Sequence, residues 1–448
     1  MNSLIKKYNV PGPRYTSYPT VPFWKNEQLS SDEWLLSIQR NLDFFQTNKV
    51  SIYIHLPFCE SLCTFCGCHK RITKNHQVEK PYIDSLIEEW NLYQEKFDFE
   101  ISEIHLGGGT PTFFKASELK RLIENITKNS KLNSSEIEFS FEAHPNNTTK
   151  EHLETLYNLG FKRLSFGVQD YNETVQKAIN RIQSIEQVTD VHLLAKNIGY
   201  KSISHDLVFG LPKQQIEGFK KTVLETINLK PERVSLYSYA HVPWIKGNGQ
   251  RGFEDSDLPD NEEKRGLYEM AKDLFLAAGY IEIGMDHFAL PEDDLAVAFK
   301  NKSLHRNFMG YTTQKTNLLI GLGVSSISDS WFCFAQNNKS VEEYQDIVSK
   351  GEIPVFRGHL LNTEDLILRK NILDLMCHFE TTFPKNEVLK NQIIQNLQEL
   401  IADNLVQIDE NKISVPENGI PFIRNICMAF DTYLATNKTE KQLFSKTI

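Results

Sequence analysis

The sequence predicts an α/β protein with a parallel sheet, and three observations carry that prediction. Six short runs rich in Val, Ile, Phe and Tyr lie between residues 50 and 239. Amphipathic stretches separate them, and after about residue 360 the pattern turns helical. Alternation of this kind implies parallel strands with helices outside, either curled into a partial barrel or doubly wound.

Taken in order, the chain begins with a proline-rich arm, with Pro11, Gly12, Pro13 and Pro19 favouring extended backbone over residues 10–22. A helix is expected from Ser31 to Gln46. The strand candidates are Val50–Leu56, Ile101–Leu106, Glu136–Glu142, Arg163–Gly167, Ser202–Val208 and Arg233–Tyr239. Helices are expected over 79–97, 116–128, 149–158, 172–197 and 215–228. In the first of these, Tyr82, Leu86, Trp90 and Tyr93 recur at spacings of three and four. Helices over 362–378 and 385–402, a hairpin within Leu405–Val415 around Asp409–Asn411 and a last helix over 418–435 complete the chain. The expected divisions are an N-terminal arm and helix (1–49), a β/α body with its extension (50–360) and a helical C-terminal domain (361–448).

Composition narrows the function. The 448 residues are 40% apolar and 24% charged, which suits a water-soluble globular chain. The formal charge of −9 argues against general nucleic-acid binding, which leaves a basic footprint. No apolar run approaches the ~20 residues of a membrane span, and the N-terminus lacks the apolar core of a secretory signal. A cytoplasmic location is expected.

Four of the seven cysteines fall within ten residues, in Cys59-Glu-Ser-Leu-Cys63-Thr-Phe-Cys66-Gly-Cys68. Such clustering reads as metal binding, not a disulfide framework. Cys59, Cys63 and Cys66, spaced x3 then x2, can hold three corners of an iron–sulfur cubane and leave one iron open to a substrate. A closed zinc site, with Cys68 or His69 as fourth ligand, is the competing reading. Further polar or small residues recur where strands end. Gly107-Gly-Gly-Thr-Pro111 follows the second strand, Glu142 ends the third, Gln169 and Asp170 end the fourth, Asp206 lies in the fifth, and Ala240 and His241 follow the sixth. In barrel enzymes the C-terminal strand ends carry the active site.

The cysteine spacing and the glycine run resemble the radical SAM superfamily. That resemblance implies a partial (β/α)6 barrel and a [4Fe-4S] cluster on Cys59, Cys63 and Cys66. S-adenosylmethionine (SAM) would chelate the open iron and yield a 5′-deoxyadenosyl radical on reduction. Gly12-Pro-Arg-Tyr-Thr-Ser-Tyr-Pro19, Cys66-Gly-Cys-His-Lys70, Asp286-His-Phe-Ala289, His305-Arg-Asn-Phe308, Gly310-Tyr-Thr-Thr-Gln314 and Arg424-Asn-Ile-Cys-Met428 extend the likeness along the whole chain. They resemble the oxygen-independent coproporphyrinogen III oxidases (dehydrogenases). The family decarboxylates two propionates of coproporphyrinogen III to vinyl groups, giving protoporphyrinogen IX in haem synthesis.

The resemblance implies two SAM molecules. Tyr53, Gly109, Glu142 and Ile327 would contact the first; Phe65, Thr110, Pro111, Gln169, Arg181, Asp206 and Ala240 would line the second. Cys68 is a candidate catalytic residue without being a cluster ligand. Arg14, Lys213, His305 and Arg306 are candidates to meet the substrate's carboxylates. A reductant and an electron acceptor, neither identified by the sequence, are implied, and a monomer is expected. One departure stands out: the family segment carries glutamine after its phenylalanine, where this chain has Met309, which lacks both amide hydrogen-bonding ends. The alternative function is a haem chaperone or haem-binding radical SAM homologue. That group shares the three cysteines but generally lacks the Gly67–Cys68 pair, the Gly12–Pro19 arm and the Arg424–Met428 segment, all present here.

Overall fold

A computed structural model describes residues 2–24, 29–132, 137–244, 249–250, 252–436 and 442–447. The N-terminal helix α1 (Asn2–Tyr8) and α2 (Ser31–Phe45) lead into the first strand. A capping box between Ser30 and Glu33 starts α2.

The six predicted strands are β1 (Lys49–Leu56), β2 (Glu100–Gly108), β3 (Glu138–Ala143), β4 (Phe161–Gln169), β5 (Ser202–Phe209) and β6 (Arg233–Ser238). The expected start of the third at Glu136 lies outside the described residues. Each strand pairs in parallel with the next in strict chain order. That order is singly wound: every crossover repeats the same step, so the sheet curls round with its helices outside, and the doubly wound alternative falls. Burial on both faces explains the apolar runs, as in β1, where Val50, Ile52, Ile54 and Leu56 are wholly buried.

The outer helices are α3 (Glu79–Gln94), α4 (Ala116–Lys128), α5 (Lys150–Asn158), α6 (Glu173–Ala178), α7 (Ile185–Ile198) and α8 (Ile216–Leu229). The helix expected over 172–197 is therefore two. Asn172 caps α6, and a capping box of Ser184 with Gln187 restarts the chain as α7.

Beyond β6 come α9 (Asn261–Ala277), β7 (Ile281–Ile283), β8 (His287–Ala289), α10 (Asp294–Lys300) and a hairpin of β9 (His305–Asn307) with β10 (Gly310–Thr312). β11 (Leu319–Leu322), β12 (Ile327–Asp329), β13 (Cys333–Asn337), α11 (Val341–Ser349) and β14 (Val355–Leu360) follow. β8 and then β7 extend the sheet beyond β6, while β11 joins β1 in parallel and carries β12 to β14 antiparallel. The sheet is an open path from β7 to β14, so the barrel is partial.

The C-terminal part holds α12 (Thr363–His378), β15 (Glu380–Thr382), α13 (Glu387–Ala402), β16 (Gln407–Asp409), β17 (Lys412–Ser414), α14 (Ile423–Met428) and α15 (Thr432–Thr436). The expected hairpin is present, and β15 adds a third strand to it. The expected last helix is divided into a 3-10 turn over Glu417–Phe422, which contains Pro421, then α14 and α15. Its core includes Ile5, Tyr8, Tyr15 and Tyr18, so the N-terminal arm packs on the C-terminal helices.

Candidate active site

β1 ends at Leu56, and the chain turns through Pro57 into the cysteine loop. Asn180 Nδ2 donates to Leu62 O (2.7 Å) and Thr64 Oγ1 to Ala178 O (3.0 Å), docking the loop on the end of α6. Cys59, Cys63 and Cys66 are half-buried and Cys68 is exposed. All four face one cavity of about 400 Å3 with Phe65, Gly109, Thr110, Pro111, Glu142, Gln169, Arg181 and Asp206. Twelve residues singled out from the sequence thus share one wall, at the C-terminal ends of β1 to β5.

The local geometry follows from strand ends. Gly109 N donates to Leu56 O (2.8 Å), which brings the β2 end against the root of the cysteine loop. A Cβ on Gly109 would lie 2.6 Å from the Pro57 carbonyl and 3.0 Å from Cys59 Sγ. One on Gly107 would lie 2.9 Å from the Tyr53 ring and 3.1 Å from Glu142 Oε1, so glycine is required for the approach. Thr110 Oγ1 donates to Cys59 Sγ (3.3 Å) and Gly108 N to Glu142 Oε2 (3.3 Å), while His105 Nε2 lies 3.6 Å from Glu142 Oε1. Arg181 Nη2 donates to Gly167 O (2.6 Å) and Nη1 reaches Cys63 Sγ (3.7 Å). Its Nε is buried with no partner.

Charge is unevenly held. Burial pushes the Cys59 thiol up to about 11, opposed by the Thr110 hydrogen bond. Cys68 donates to Cys66, which lowers Cys66 and raises Cys68. Burial raises Asp206 to about 6. His144, which follows β3 on the same wall, is pushed down to about 3 by burial and by the Arg181 charge.

Tyr53 stands behind this wall, stacked on His105 with ring centroids 6.0 Å apart and its hydroxyl 3.0 Å from His55 Nδ1. Ala240 is held against the cysteine loop by Gln250, whose Nε2 donates to Ala240 O (2.9 Å) and Phe65 O (3.2 Å). Ile327 lies further round the sheet: its backbone backs Gly321, the register partner of Tyr53, and its side chain packs with the Trp24 cluster. Lys213 lies apart and faces Asp257 (3.9 Å). His305 is buried and pushed down to about 3 by burial and by Arg369. Arg306 is buried over the Tyr311 ring (4.4 Å), and Arg14 Nη2 donates to Ser238 O (2.5 Å). Asp170 is a turn anchor that accepts from Gln214, Thr222 and the Asn172 amide. Met309 faces the barrel interior, a cavity of about 100 Å3 shared with His105, Glu142, Asp206 and Tyr237.

Sequence reasoning missed His144, Asn180 and Gln250. His144 could have been found from its place immediately after the buried end of β3; Asn180 and Gln250 carry no local signal.

The donor set fits an iron–sulfur cluster. Three thiols line a roomy cavity with an unpartnered guanidinium nitrogen beside it. Thiolates held apart around a volume suit a multi-iron group.

Comparison with known proteins agrees. Residues 53–225 match the radical SAM superfamily. The chain is 39% identical to the oxygen-independent coproporphyrinogen III oxidase of Escherichia coli over 100% of this chain and 98% of that protein. It is 36% identical to that of Pseudomonas aeruginosa over 99% and 98%. The solved coproporphyrinogen III oxidase HemN of Escherichia coli, described as a radical SAM enzyme, superposes with a TM-score of 0.90 at 37% identity, over 97% of this chain and 99% of that one. Likeness of this extent covers the arm, the barrel and the C-terminal helices alike, and the chain belongs to the oxygen-independent coproporphyrinogen III oxidase family of radical SAM enzymes.

Proposed function

We propose that the cavity at the strand ends is where this chain carries out its family's reaction. The enzyme oxidatively decarboxylates two propionates of coproporphyrinogen III to vinyl groups, giving protoporphyrinogen IX for haem synthesis. The observation that carries this is full-length family membership combined with three cysteines on one cavity wall. When bound, the [4Fe-4S] cluster and SAM would supply radical chemistry able to remove a hydrogen atom from the propionate β-carbon. Loss of CO2 and of one electron to an acceptor would complete each vinyl group without oxygen.

The chain's own residues hold and orient. Cys59, Cys63 and Cys66 hold the cluster, and Arg181 beside Cys63 stabilises thiolate there. Glu142, fixed by the Gly108 amide, would accept from the amino or ribose groups of a first SAM, with Tyr53 and Gly109 shaping its bed. Phe65, Thr110, Pro111, Gln169, Arg181, Asp206 and Ala240 form the place for a second SAM. Ile327, across Gly321 from Tyr53 in the sheet, is the remaining contact with the first SAM that the family likeness implies. Cys68, exposed at the cavity, is the candidate catalytic residue outside the ligand set. The protein works as a cytoplasmic monomer with a separate reductant and acceptor; among the described residues no helix is long and apolar enough to cross a membrane.

Substrate deuterated at the propionate β-carbons tests the reading. Deuterium should appear in the 5′-deoxyadenosine formed. Unlabelled 5′-deoxyadenosine alongside vinyl product would refute abstraction at that carbon.

A further inference from the structure

A second pocket, of about 70 Å3, lies between the end of β6, α9 and the two terminal segments, with Arg14, Ser238, Arg265, Asp286, Arg424 and Thr447 in its wall. One guanidinium builds it. Arg424 Nε donates to Pro13 O (2.9 Å), Nη1 to Lys446 O (3.0 Å) and Thr447 O (3.1 Å), and Nη2 to Gly12 O. The arm and the C-terminal segment are thus tied to α14 by a cation whose partners are all neutral carbonyls.

Two further cations stand in the same condition. Arg14 donates to Ser238 O (2.5 Å), and Lys264 Nζ on α9 donates to Tyr239 O (3.1 Å) with the Phe209 ring centroid 5.8 Å away. Among the described residues, neither forms an ion pair with a carboxylate. Asp286 lies close enough to act on Arg14, but its carboxylate is taken by His287 (2.7 Å). Glu282 is held by Lys272 (2.6 Å) and the Tyr268 hydroxyl (2.6 Å). Burial lowers all three cations, and for Lys264, which falls to about 7, the charges of Arg14, Arg424 and Lys446 add to it. Glu282 and Asp286 line the same pocket but are engaged by those partners, so the wall groups left to take a further anion are Arg14 and Arg424, whose own bonds go to carbonyls.

The pocket adjoins the site. Ser238, Tyr239 and Ala240 are consecutive, and their carbonyls accept from Arg14, Lys264 and Gln250 in turn; Gln250 also holds Phe65 of the cysteine loop. At ~10–15 Å3 per water-sized sphere, the volume has room for a carboxylate end.

We infer that Arg14 and Arg424 form a carboxylate subsite, with the Lys264 charge behind its wall, that takes a non-reacting propionate of the tetrapyrrole while another propionate lies in the cysteine cavity. The inference rests on the functional reading above. It explains how a near-symmetric substrate with four similar arms is oriented: an anchored carboxylate at one fixed place selects which arm reaches the cavity.

Anaerobic equilibrium dialysis of radiolabelled coproporphyrinogen III against the cluster-loaded, SAM-free full chain tests this. Arg14→Gln should weaken binding about tenfold or more, the effect of losing a hydrogen bond to a charged group, and Lys264→Gln, which removes a charge from behind the wall, by a smaller factor. Lys264→Arg, which keeps that charge, should stay within about threefold of the wild type, and iron content should be unchanged throughout. In turnover, the Gln variants should raise KM and leave kcat largely intact. Wild-type binding that neither Gln variant weakens would overturn the subsite alone. A wild type that does not bind the porphyrinogen would overturn the functional reading and the subsite with it.

Discussion

Gly109→Ala isolates how closely the β2 end must approach the cysteine loop. The new Cβ would sit 2.6 Å from both the carbon and the oxygen of the Pro57 carbonyl, about 0.8 Å inside ordinary contact. Backbone cannot yield there cheaply, because Gly109 N bonds Leu56 O (2.8 Å) and Thr110 N bonds Phe58 O (3.1 Å) on either side. The same Cβ lies 3.0 Å from Cys59 Sγ, so relief of the clash displaces a proposed ligand. Overpacking of this kind costs about 1–3 kcal/mol. Gly67→Ala, in the same loop, is the control, since a Cβ there meets nothing within 4 Å. Iron and acid-labile sulfide per chain, with the urea midpoint under anaerobic conditions, read both effects. Gly109→Ala should lose stability by that amount and a large share of its iron, and Gly67→Ala should shift stability by less than about 0.5 kcal/mol and keep its iron. A Gly109→Ala protein with wild-type iron and midpoint, or equal loss in both variants, would refute the packing argument.

Three further outcomes are expected. Cys63→Ser should abolish both the iron–sulfur absorbance and SAM cleavage; a full cluster in that variant would remove Cys63 from the ligand set. Glu142→Ala should leave the cluster formed but weaken SAM binding, by about tenfold for a charged hydrogen bond, as read by dialysis with labelled SAM; unchanged affinity would take Glu142 out of the site. Glu89, buried with Tyr344, Gly323 N and Asn337 as donors, is raised by burial to about 7. Between its unfolded value of 4.5 and that value the folded state holds more protons than the unfolded one, so stability falls as pH rises through this window, by about 3 kcal/mol in full. Denaturation midpoints from pH 4.5 to 8 should fall less steeply for Glu89→Gln than for the wild type; parallel profiles would contradict the assignment.

The first six strands were legible because a parallel sheet covered on both faces needs apolar, β-branched runs, which stand out in any window. Their chain-ordered pairing was not, since it depends on how helices pack afterwards. The break between α6 and α7 left a local trace that periodicity overrode: Ser184 with Gln187 is a capping box in the middle of an apolar repeat. That break matters, because it sets Arg181 against Gly167 O and Cys63. Strands β7 to β14 are three to six residues long and depend on partners far away in sequence, so no window revealed them. In the site, the cysteines were readable because one short loop carries them all. Lys264 and Arg424 were not, because each looks like an ordinary helix-surface cation until the arm and the C-terminal segment are laid over it. Met309 was visible as a departure, and only the fold puts its thioether in the cavity with Glu142 and Asp206.

The most direct test of the account is anaerobic turnover. Protein reconstituted with iron and sulfide is reduced, given SAM, coproporphyrinogen III and an electron acceptor, and its products are separated by chromatography. The account predicts protoporphyrinogen IX together with 5′-deoxyadenosine, and neither from Cys63→Ser. Cluster-loaded wild-type protein that cleaves SAM but leaves every propionate intact, with an acceptor shown competent for the Escherichia coli enzyme, would contradict it.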